Sequence, residues 1–276
     1  MLPSSHFQSP LKPFLRWAGG KNRITKLLAA YTPKKYNRYW EPFLGSAAMF
    51  FYLRPEKAFL SDNNSALVDC YNHVRDYPEK IYEKLKEHTR KNSEKHYYAV
   101  RDLYNKSKSS ISQSARFIYL NKTNFNGIFR VNTKGEYNVP YGYKKSLALP
   151  PFEEFLEISN LLKKAEIKHQ SFENIESLSL LQKEDFVYLD PPYGQTCAGY
   201  NSIWSKRDEE YLYSIIDSLD KNGIRFALSG VSIHKGIKNP FIDRLSKYKI
   251  INIDQSYEKV AKIKGLKSQE ILVINY

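Results

Sequence analysis

The sequence predicts an α/β fold in which an open sheet carries an inserted, mostly helical region. A strand, turn, helix and strand pattern runs from Phe14 to Asp62, and this order is typical of nucleotide-binding folds. Residues 64 to about 118 have apolar side chains at helical spacing, and strand-like runs return after Pro151. The length of 276 residues suits one large α/β domain with a smaller insertion.

The elements before the insertion are predicted from small-residue turns and short apolar runs. A Gly-Gly turn precedes a predicted helix from about Asn22 to Tyr31. A strand ends near Glu41, and the segment from Ser46 to Leu53 has a helical pattern. The apolar run from Ala58 to Asp62 predicts the next strand.

The later elements are separated by polar, turn-rich segments. An Asn- and Gly-rich stretch from Asn121 to Lys145 follows the helical insertion. Strands are predicted at Asp185–Leu189 and Ile224–Ser229, with a helix near Asp208–Leu219 between them. Two final strands are predicted to pair with each other: Lys249–Ile253 and Glu270–Ile274.

The chain is strongly basic, with 43 Lys and Arg residues, 29 Asp and Glu residues and a net charge of +14. Such an excess predicts a polyanionic partner, because each basic side chain that neutralises a phosphate releases condensed counterions. A solvated surface that charge keeps soluble is the alternative interpretation. Between Asn64 and Pro150 there are sixteen Lys or Arg residues and eight Asp or Glu residues, so the insertion holds more than half of the excess charge.

The composition also restricts the compartment. No apolar run approaches the roughly 20 residues that span a bilayer. The first thirteen residues lack a basic segment followed by an apolar one, so they do not resemble a secretory signal. Cys70 and Cys197 form no metal-ligand pattern and suit a reducing environment. We therefore expect a cytoplasmic protein without a membrane segment or a metal site.

The tetrapeptide Asp190-Pro191-Pro192-Tyr193 directly follows a predicted apolar strand. It therefore lies at the carboxyl edge of the sheet, where open α/β sheets bind ligands. The two prolines fix φ and remove two backbone donors, which gives a rigid loop with exposed carbonyls. An exocyclic amine that donates to the Asp190 carboxylate and the Pro191 carbonyl would direct its lone pair at an electrophile, while Tyr193 could stack on the flat base. A proline-rich turn without a ligand is the alternative.

A small-residue turn from Glu41 to Ala47 precedes a predicted helix. Such a turn lets the backbone approach a ligand closely at a helix N-terminus. Asp62 lies seventeen residues beyond Gly45, at the end of the next strand, and this spacing suits a carboxylate that binds ribose hydroxyls. The missing G-x-G-x-x-G pattern favours a nucleoside without phosphates. An ordinary turn with a capping Asp is the alternative interpretation.

The segment from Phe14 to Lys21 contains a second glycine turn. Its Gly pair allows a sharp bend that exposes Trp17 and Lys21 near a helix start. Lys21 is a candidate partner for a carboxylate, either of a ligand or of Asp190. A core tryptophan and a surface lysine are the alternative interpretation.

These motifs, in this order, resemble those of the alpha-group (D12 class) DNA adenine-N6 methyltransferases, including their restriction-modification branch. The resemblance runs from about Phe14 to Asp208. It implies a Rossmann-like sheet that binds S-adenosylmethionine and transfers a methyl group to N6 of an adenine flipped out of double-stranded DNA. It also implies a catalytic domain at residues 1–63 and 151–276, and a target-recognition domain at 64–150 with a DNA-binding hairpin at 121–142.

The resemblance assigns roles to individual residues. The residues expected to bind the cofactor are Trp17, Lys21, Glu41, Phe43, Gly45, Asp62, Phe172 and Asp190. Those expected to hold and activate the adenine are Asp190, Pro191, Pro192 and Tyr193. Those expected to contact DNA are Phe125, Asn126, Arg130, Asn132, Asn138, Pro140 and Lys144. Phe125 is placed to wedge between base pairs, and Arg130 either to read guanine O6 and N7 or to contact a phosphate.

One residue and one segment depart from the family pattern, and a second segment is ambiguous. Ala47 stands where the family usually has glycine, and alanine is tolerated there if its φ is negative. Residues 199–208 lack the pattern expected of GATC-specific members, so the recognition sequence stays open. The basic run from Lys259 to Lys267 is either a phosphate-binding loop or a solvated loop.

Three alternatives in function stay open from the sequence. They are methylation of adenine in RNA, methylation of cytosine N4, and a catalytically inactive DNA-binding module. The enzyme either guards DNA against a paired restriction endonuclease or acts alone. We expect a monomer, encoded by a bacterium or a phage, that needs no metal because the sulfonium of the cofactor already activates the methyl group.

Overall fold

The computed structural model describes residues 10–174, 180–192, 204–234, 237–239, 242–253 and 269–276. Contacts within the chain define two compact units. A helical unit comprises the segment up to Asn22, Gly45–Arg54 and Ser65–Lys164. A sheet unit comprises Arg23–Leu44, Pro55–Asn64 and Ala165–Tyr276. The functional domain boundaries expected from the sequence stay a prediction.

The sheet unit contains a continuous path of seven strands among the described residues, and a short further strand pairs beside it. The bounds are β1 (Tyr39–Glu41), β2 (Ala58–Asp62), β3 (Ala165–His169), β4 (Phe186–Leu189), β5 (Arg225–His234), β6 (Ile237–Lys238), β7 (Lys249–Ile253) and β8 (Gln269–Ile274). The order is β3-β2-β1-β4-β5-β8-β7, and β6 pairs with the end of β5. The five neighbouring strands β3, β2, β1, β4 and β5 pair in parallel, whereas β8 is antiparallel to β5 and β7. This mostly parallel sheet confirms the predicted Rossmann-like α/β fold.

The core of the sheet unit lies where helix α8 (Lys206–Lys221) packs on the strands. The unit also contains the short helix α1 (Thr25–Ala29). A capping box of Ser205 and Asp208 begins α8 and satisfies two of its first backbone donors. The helix then buries apolar residues at helical spacing, among them Leu212, Ile216 and Leu219. They belong to one cluster with β-strand residues Val187, Leu189, Phe226, Leu228, Ile271 and Val273.

The helical unit is built from amphipathic helices. Their bounds are α2 (Ala48–Leu53), α3 (Ser65–Asp76), α4 (Pro78–Arg90), α5 (Glu94–Lys106), α6 (Ile111–Thr123) and α7 (Phe152–Leu162). The Ser93 and Ser110 hydroxyls accept backbone N–H groups at the starts of α5 and α6. After α6, a segment with a short 3-10 helix at Phe125–Gly127 is closed by two antiparallel bridges, Asn124 to Tyr141 and Val131 to Tyr137. None of the helices in the described ranges is long and apolar enough to cross a bilayer.

Local patterns predicted most elements, with two corrections. The helical stretch from residue 64 divides into α3 to α6 and continues to Thr123, and β7 and β8 pair as predicted. The first helix is shorter than the predicted Asn22–Tyr31 segment. The first element after Pro151 is helix α7 rather than a strand, because Phe155, Ile158 and Leu162 are buried at helical spacing.

Candidate active site

Three acidic residues lie at the carboxyl ends of adjacent parallel strands in the sheet unit. Glu41 ends β1 and Asp62 ends β2, while Asp190 directly follows β4. Because the sheet order is β2-β1-β4 and these strands run in parallel, the three residues lie at the same edge. Pro191 is buried and Pro192 is exposed. Tyr193 lies outside the described residues.

The start of β4 is fixed by a buried ion pair that sequence reasoning missed. Asp185 is fully buried, and its carboxylate accepts hydrogen bonds from Arg38 Nε at 2.9 Å and Arg38 Nη2 at 2.6 Å. It also accepts from the Trp40 indole at 3.2 Å and the Gln182 backbone N–H at 2.9 Å. Arg38 precedes β1, so this network joins the starts of the two strands whose other ends hold Glu41 and Asp190.

Glu41 is buried at the end of β1, and its carboxylate accepts a hydrogen bond of 2.9 Å from the Tyr39 hydroxyl. Burial raises the pKa of Tyr39 well above its usual range, and the Glu41 carboxylate adds to this increase. The phenol therefore stays protonated and keeps donating. This arrangement positions the buried carboxylate instead of leaving it to rotate.

An aromatic wall lies beside these carboxylates within the sheet unit. The rings of Phe43 and Phe172 are 5.1 Å apart, and those of Phe172 and Trp204 are 5.0 Å apart. Asp62 Oδ1 accepts the Asn64 N–H at 3.0 Å, and the Asp62 carbonyl accepts the Gln170 N–H at 3.2 Å, two residues before Phe172. An apolar wall next to a held carboxylate matches the chemistry of a nucleoside, with its flat base and its ribose hydroxyls. The residues present therefore fit the nucleoside part of S-adenosylmethionine.

Trp17, Lys21 and Gly45 belong to the helical unit. Gly45 has a φ of +47°, and a Cβ there would lie 3.0 Å from Trp17 Cδ1, so the turn needs glycine for both reasons. Its carbonyl accepts a hydrogen bond from the Tyr71 hydroxyl at 3.1 Å. Lys21 is buried, and its ammonium donates to the Gly19 carbonyl at 2.7 Å. Both interpretations from the sequence, a lysine exposed by the glycine bend and an ordinary surface lysine, are therefore wrong, because the side chain folds back onto the glycine turn and is buried.

Ala47 does not have the negative φ that would let alanine replace the family's usual glycine without strain. Its φ is +55°, in the left-handed region, and the residue is fully buried at the start of α2. That conformation costs an L-residue about 1–2 kcal/mol. The turn thus has the backbone of a glycine and the side chain of an alanine, which explains why the family usually has glycine at this position.

The predicted DNA-contact residues cluster on the segment after α6. Phe125 is 53% exposed, and Asn126, Arg130 and Pro140 are exposed as well. The Phe125 N–H donates to the Pro140 carbonyl at 3.0 Å, which brings the two strands of the segment together. The exposed Phe125 ring is therefore available for contact with a ligand.

Two of the predicted asparagines, Asn132 and Asn138, are engaged in hydrogen bonds within the segment. Asn138 Oδ1 accepts from Arg130 Nε at 2.7 Å, so Asn138 orients the guanidinium. Asn132 Oδ1 accepts the N–H groups of Lys134 and Glu136, at 3.0 and 2.9 Å, and shapes the tip of the segment. Lys144 is half-buried, and its carbonyl accepts hydrogen bonds from the Asn92 amide and the Tyr141 hydroxyl, each at 2.8 Å.

Sequence reasoning missed three residues near these groups. Trp204 completes the aromatic wall, and its indole donates to Glu209 at 2.7 Å. Tyr143 is 74% exposed with a φ of +52°, immediately after Gly142. Burial, and then the Arg16 guanidinium, lower the pKa of Lys122 to about 8.

Among the described residues, no group of three or more His, Cys, Asp or Glu side chains could hold a metal ion.

The acidic strand ends, the aromatic wall and the Asp-Pro-Pro loop define an α/β enzyme of the methyltransferase class. Residues 17–259 match the family model of the D12 class N6 adenine-specific DNA methyltransferases. The chain belongs to this family, and it is therefore an adenine-specific DNA methyltransferase. The family assignment resolves the alternatives of RNA adenine and cytosine N4 in favour of adenine in DNA.

Curated relatives agree with this assignment. The chain is 34% identical to the Type II methyltransferase M1.LlaDCHI of Lactococcus lactis subsp. cremoris, over 96% of each chain. It is also 34% identical to the Type II methyltransferase M.MjaIII of Methanocaldococcus jannaschii, over 96% of this chain and 99% of the relative. A DNA adenine methylase of Haemophilus influenzae is 34% identical over 66% of this chain and 64% of the relative.

Proposed function

We propose that this enzyme uses S-adenosylmethionine to methylate N6 of an adenine that has left the stack of double-stranded DNA. The observation that supports this most directly is the position of Asp190 and Pro191 at the edge of the sheet, next to Glu41 and Asp62 on neighbouring strands. Open α/β sheets bind their ligands at this edge.

The sheet unit would hold the nucleoside part of the cofactor. Phe43, Phe172 and Trp204 would contact its adenine ring, and Asp62 would accept hydrogen bonds from its ribose hydroxyls. S-adenosylmethionine supplies a methyl group that a sulfonium already activates, so the chemistry requires no metal. The roles of Trp17, Lys21 and Gly45 toward the cofactor rest on the family resemblance.

The Asp190 loop would prepare the target amine. The lone pair of an exocyclic purine amine is delocalised into the ring, which makes the nitrogen a poor nucleophile. Hydrogen bonds from the amine to the Asp190 carboxylate and the Pro191 carbonyl favour a pyramidal nitrogen with a localised lone pair. The amine reaches these acceptors only when the base leaves the duplex. Tyr193 would stack on the extruded base.

The segment 121–142 would bind the duplex. Its exposed Phe125 is suited to enter a base step, and Arg130, held by Asn138, is suited to a bidentate contact with guanine or a contact with phosphate. The net charge of +14 favours binding to a long polyanion such as a DNA duplex. The DNA substrate also supports the expected cytoplasmic location.

Asp190→Ala tests the proposed chemistry. We expect the variant to bind S-adenosylmethionine in calorimetry but to transfer tritiated methyl groups to duplex DNA at least about 10²-fold more slowly, because an oriented acceptor in the transition state is lost. Asp243→Ala, which removes a carboxylate 81% exposed on the same unit, should retain normal turnover. Wild-type turnover by Asp190→Ala, or transfer to RNA but not to duplex DNA, would refute the proposal.

We further propose that the enzyme protects DNA against a paired restriction endonuclease and acts as a monomer. Two of the relatives are named Type II methyltransferases, which supports the pairing. Sequencing methylated DNA from cells that express only this protein would give the recognition sequence. Resistance of that DNA to an endonuclease of the same specificity, and a mass of 32.3 kDa in light scattering, are the expected results.

A further inference from the structure

Within the helical unit, the chain around Trp17 is fixed to the start of the DNA-binding segment. The buried Asn121 side chain donates to the Arg16 carbonyl at 2.8 Å and accepts the Arg16 N–H at 2.9 Å. Gly127 has a φ of +66°, and a Cβ there would lie 2.5 Å from Arg16 Cδ. The backbone at residue 16 therefore cannot move without the segment that follows α6.

The Trp17 ring continues this connection through side chains. It contacts Gly45, where a Cβ would lie 3.0 Å away, and it stacks on Phe129 with ring centres 5.8 Å apart and planes 20° apart. Phe129 in turn packs on Tyr137 at 5.7 Å. Packed aromatic rings have few alternative arrangements, so a shift of Trp17 is transmitted to Phe129.

Phe129 immediately precedes the exposed Arg130, whose guanidinium is held by Asn138. A ring fixed on Trp17 therefore sets the backbone position of the residue proposed to read DNA. Trp17 and Gly45, together with Lys21, are the proposed cofactor contacts of this unit. The stack of Trp17 on Phe129 therefore connects a proposed cofactor contact, Trp17, to a proposed DNA contact, Arg130.

We propose that Phe129 is a positioning residue that couples cofactor binding to DNA binding. This inference rests on the proposed function, which assigns Trp17 to the cofactor and Arg130 to DNA. Coupling between two ligands is reciprocal, so cofactor should tighten DNA binding by the same factor by which DNA tightens cofactor binding. In the wild-type enzyme we expect a factor of at least about fivefold.

The test measures the dissociation constant of S-adenosylhomocysteine by calorimetry, with and without a DNA duplex that contains the recognition sequence of the enzyme. In Phe129→Leu, we expect the ratio of the two constants to fall to about 1–2, while the constant without DNA changes less than about threefold. Phe129→Tyr, which keeps a ring on Trp17, should restore the ratio. A loss of stability alone would not change this ratio selectively.

Tyr104→Leu provides a matched control within the same aromatic cluster. Tyr104 packs on Phe117 and Tyr137 at 6.3 and 5.7 Å, so its loss loosens the cluster and leaves the stack of Trp17 on Phe129 in place. We expect this variant to keep the wild-type ratio. The proposal is overturned if Phe129→Leu keeps the ratio, if Tyr104→Leu loses it equally, or if the wild-type ratio is 1. A wild-type enzyme that binds no S-adenosylhomocysteine would instead refute the proposed function.

Discussion

Replacement of Asp185 by alanine should destabilise the sheet unit more than any exposed charge change. The Asp185 carboxylate is fully buried and is the acceptor for Arg38, Trp40 and the Gln182 N–H. Arg38 is itself only 15% exposed. The substitution would leave a largely buried guanidinium without its counter-ion and an indole N–H without its acceptor.

The magnitude follows from the way the pair is buried. Removal of one partner of a buried ion pair costs about 3–5 kcal/mol, because the other charge stays desolvated. With an m value of about 3 kcal/mol/M, the urea midpoint would shift downward by about 1 to 1.7 M. Asp185→Asn keeps one acceptor oxygen and should lose less stability.

Urea unfolding followed by circular dichroism measures this effect. The control is Asp243→Ala, which removes an ion pair at 3.0 Å whose side chains are 68% and 81% exposed. Exposed pairs contribute about 0–1 kcal/mol. A loss of less than about 1 kcal/mol in Asp185→Ala, equal to that of the control, would show that the buried network does not fix β4 as inferred.

Three further predictions concern the turn, the DNA segment and pH. Ala47→Gly relieves a left-handed backbone and should raise the free energy of unfolding by up to about 1 kcal/mol; a lower melting temperature would contradict this. A Cβ in Gly142→Ala would clash with the Asn124 carbonyl oxygen, so DNA affinity in fluorescence anisotropy should fall at least about tenfold, and unchanged affinity would contradict the assigned role. Burial, and then His96, lower the pKa of His88 to about 4 from its ordinary value of 6.5. The unfolded state therefore takes up the proton first, and stability should decrease as pH falls from 6.5 toward 4. Urea midpoints at pH 7, 6 and 5 check this, and an equally steep decrease in His88→Gln would contradict it.

The sequence predicted those features that leave a local pattern. The apolar run before Asp190 predicted β4, and the matching runs near the C-terminus predicted the pairing of β7 with β8. The order of the strands was not predicted, but parallel strands place their carboxyl ends at one edge of a sheet. The acidic strand ends of the candidate site were therefore within reach of sequence reasoning.

Features that depend on partners distant in the chain were not predictable. Arg38 and Asp185 are 147 residues apart, and neither occurs in a recognisable motif. Trp204 joins Phe43 and Phe172 only through the folded sheet unit. The identity of Ala47 by itself does not reveal its left-handed φ, because alanine is common in helices, where its φ is negative. Only the glycine that the family usually has at this position pointed to it.

The interleaving of the two units along the chain limits how target specificity can be exchanged between relatives. The chain passes from one unit to the other five times, once between Leu44 and Gly45. A graft of residues 65–164 alone would separate Tyr71 and Phe155 from Phe14, which packs on them at 5.0 and 6.1 Å. A working chimaera would need three separate stretches from the same parent, and specificity in this architecture should be inherited as a set.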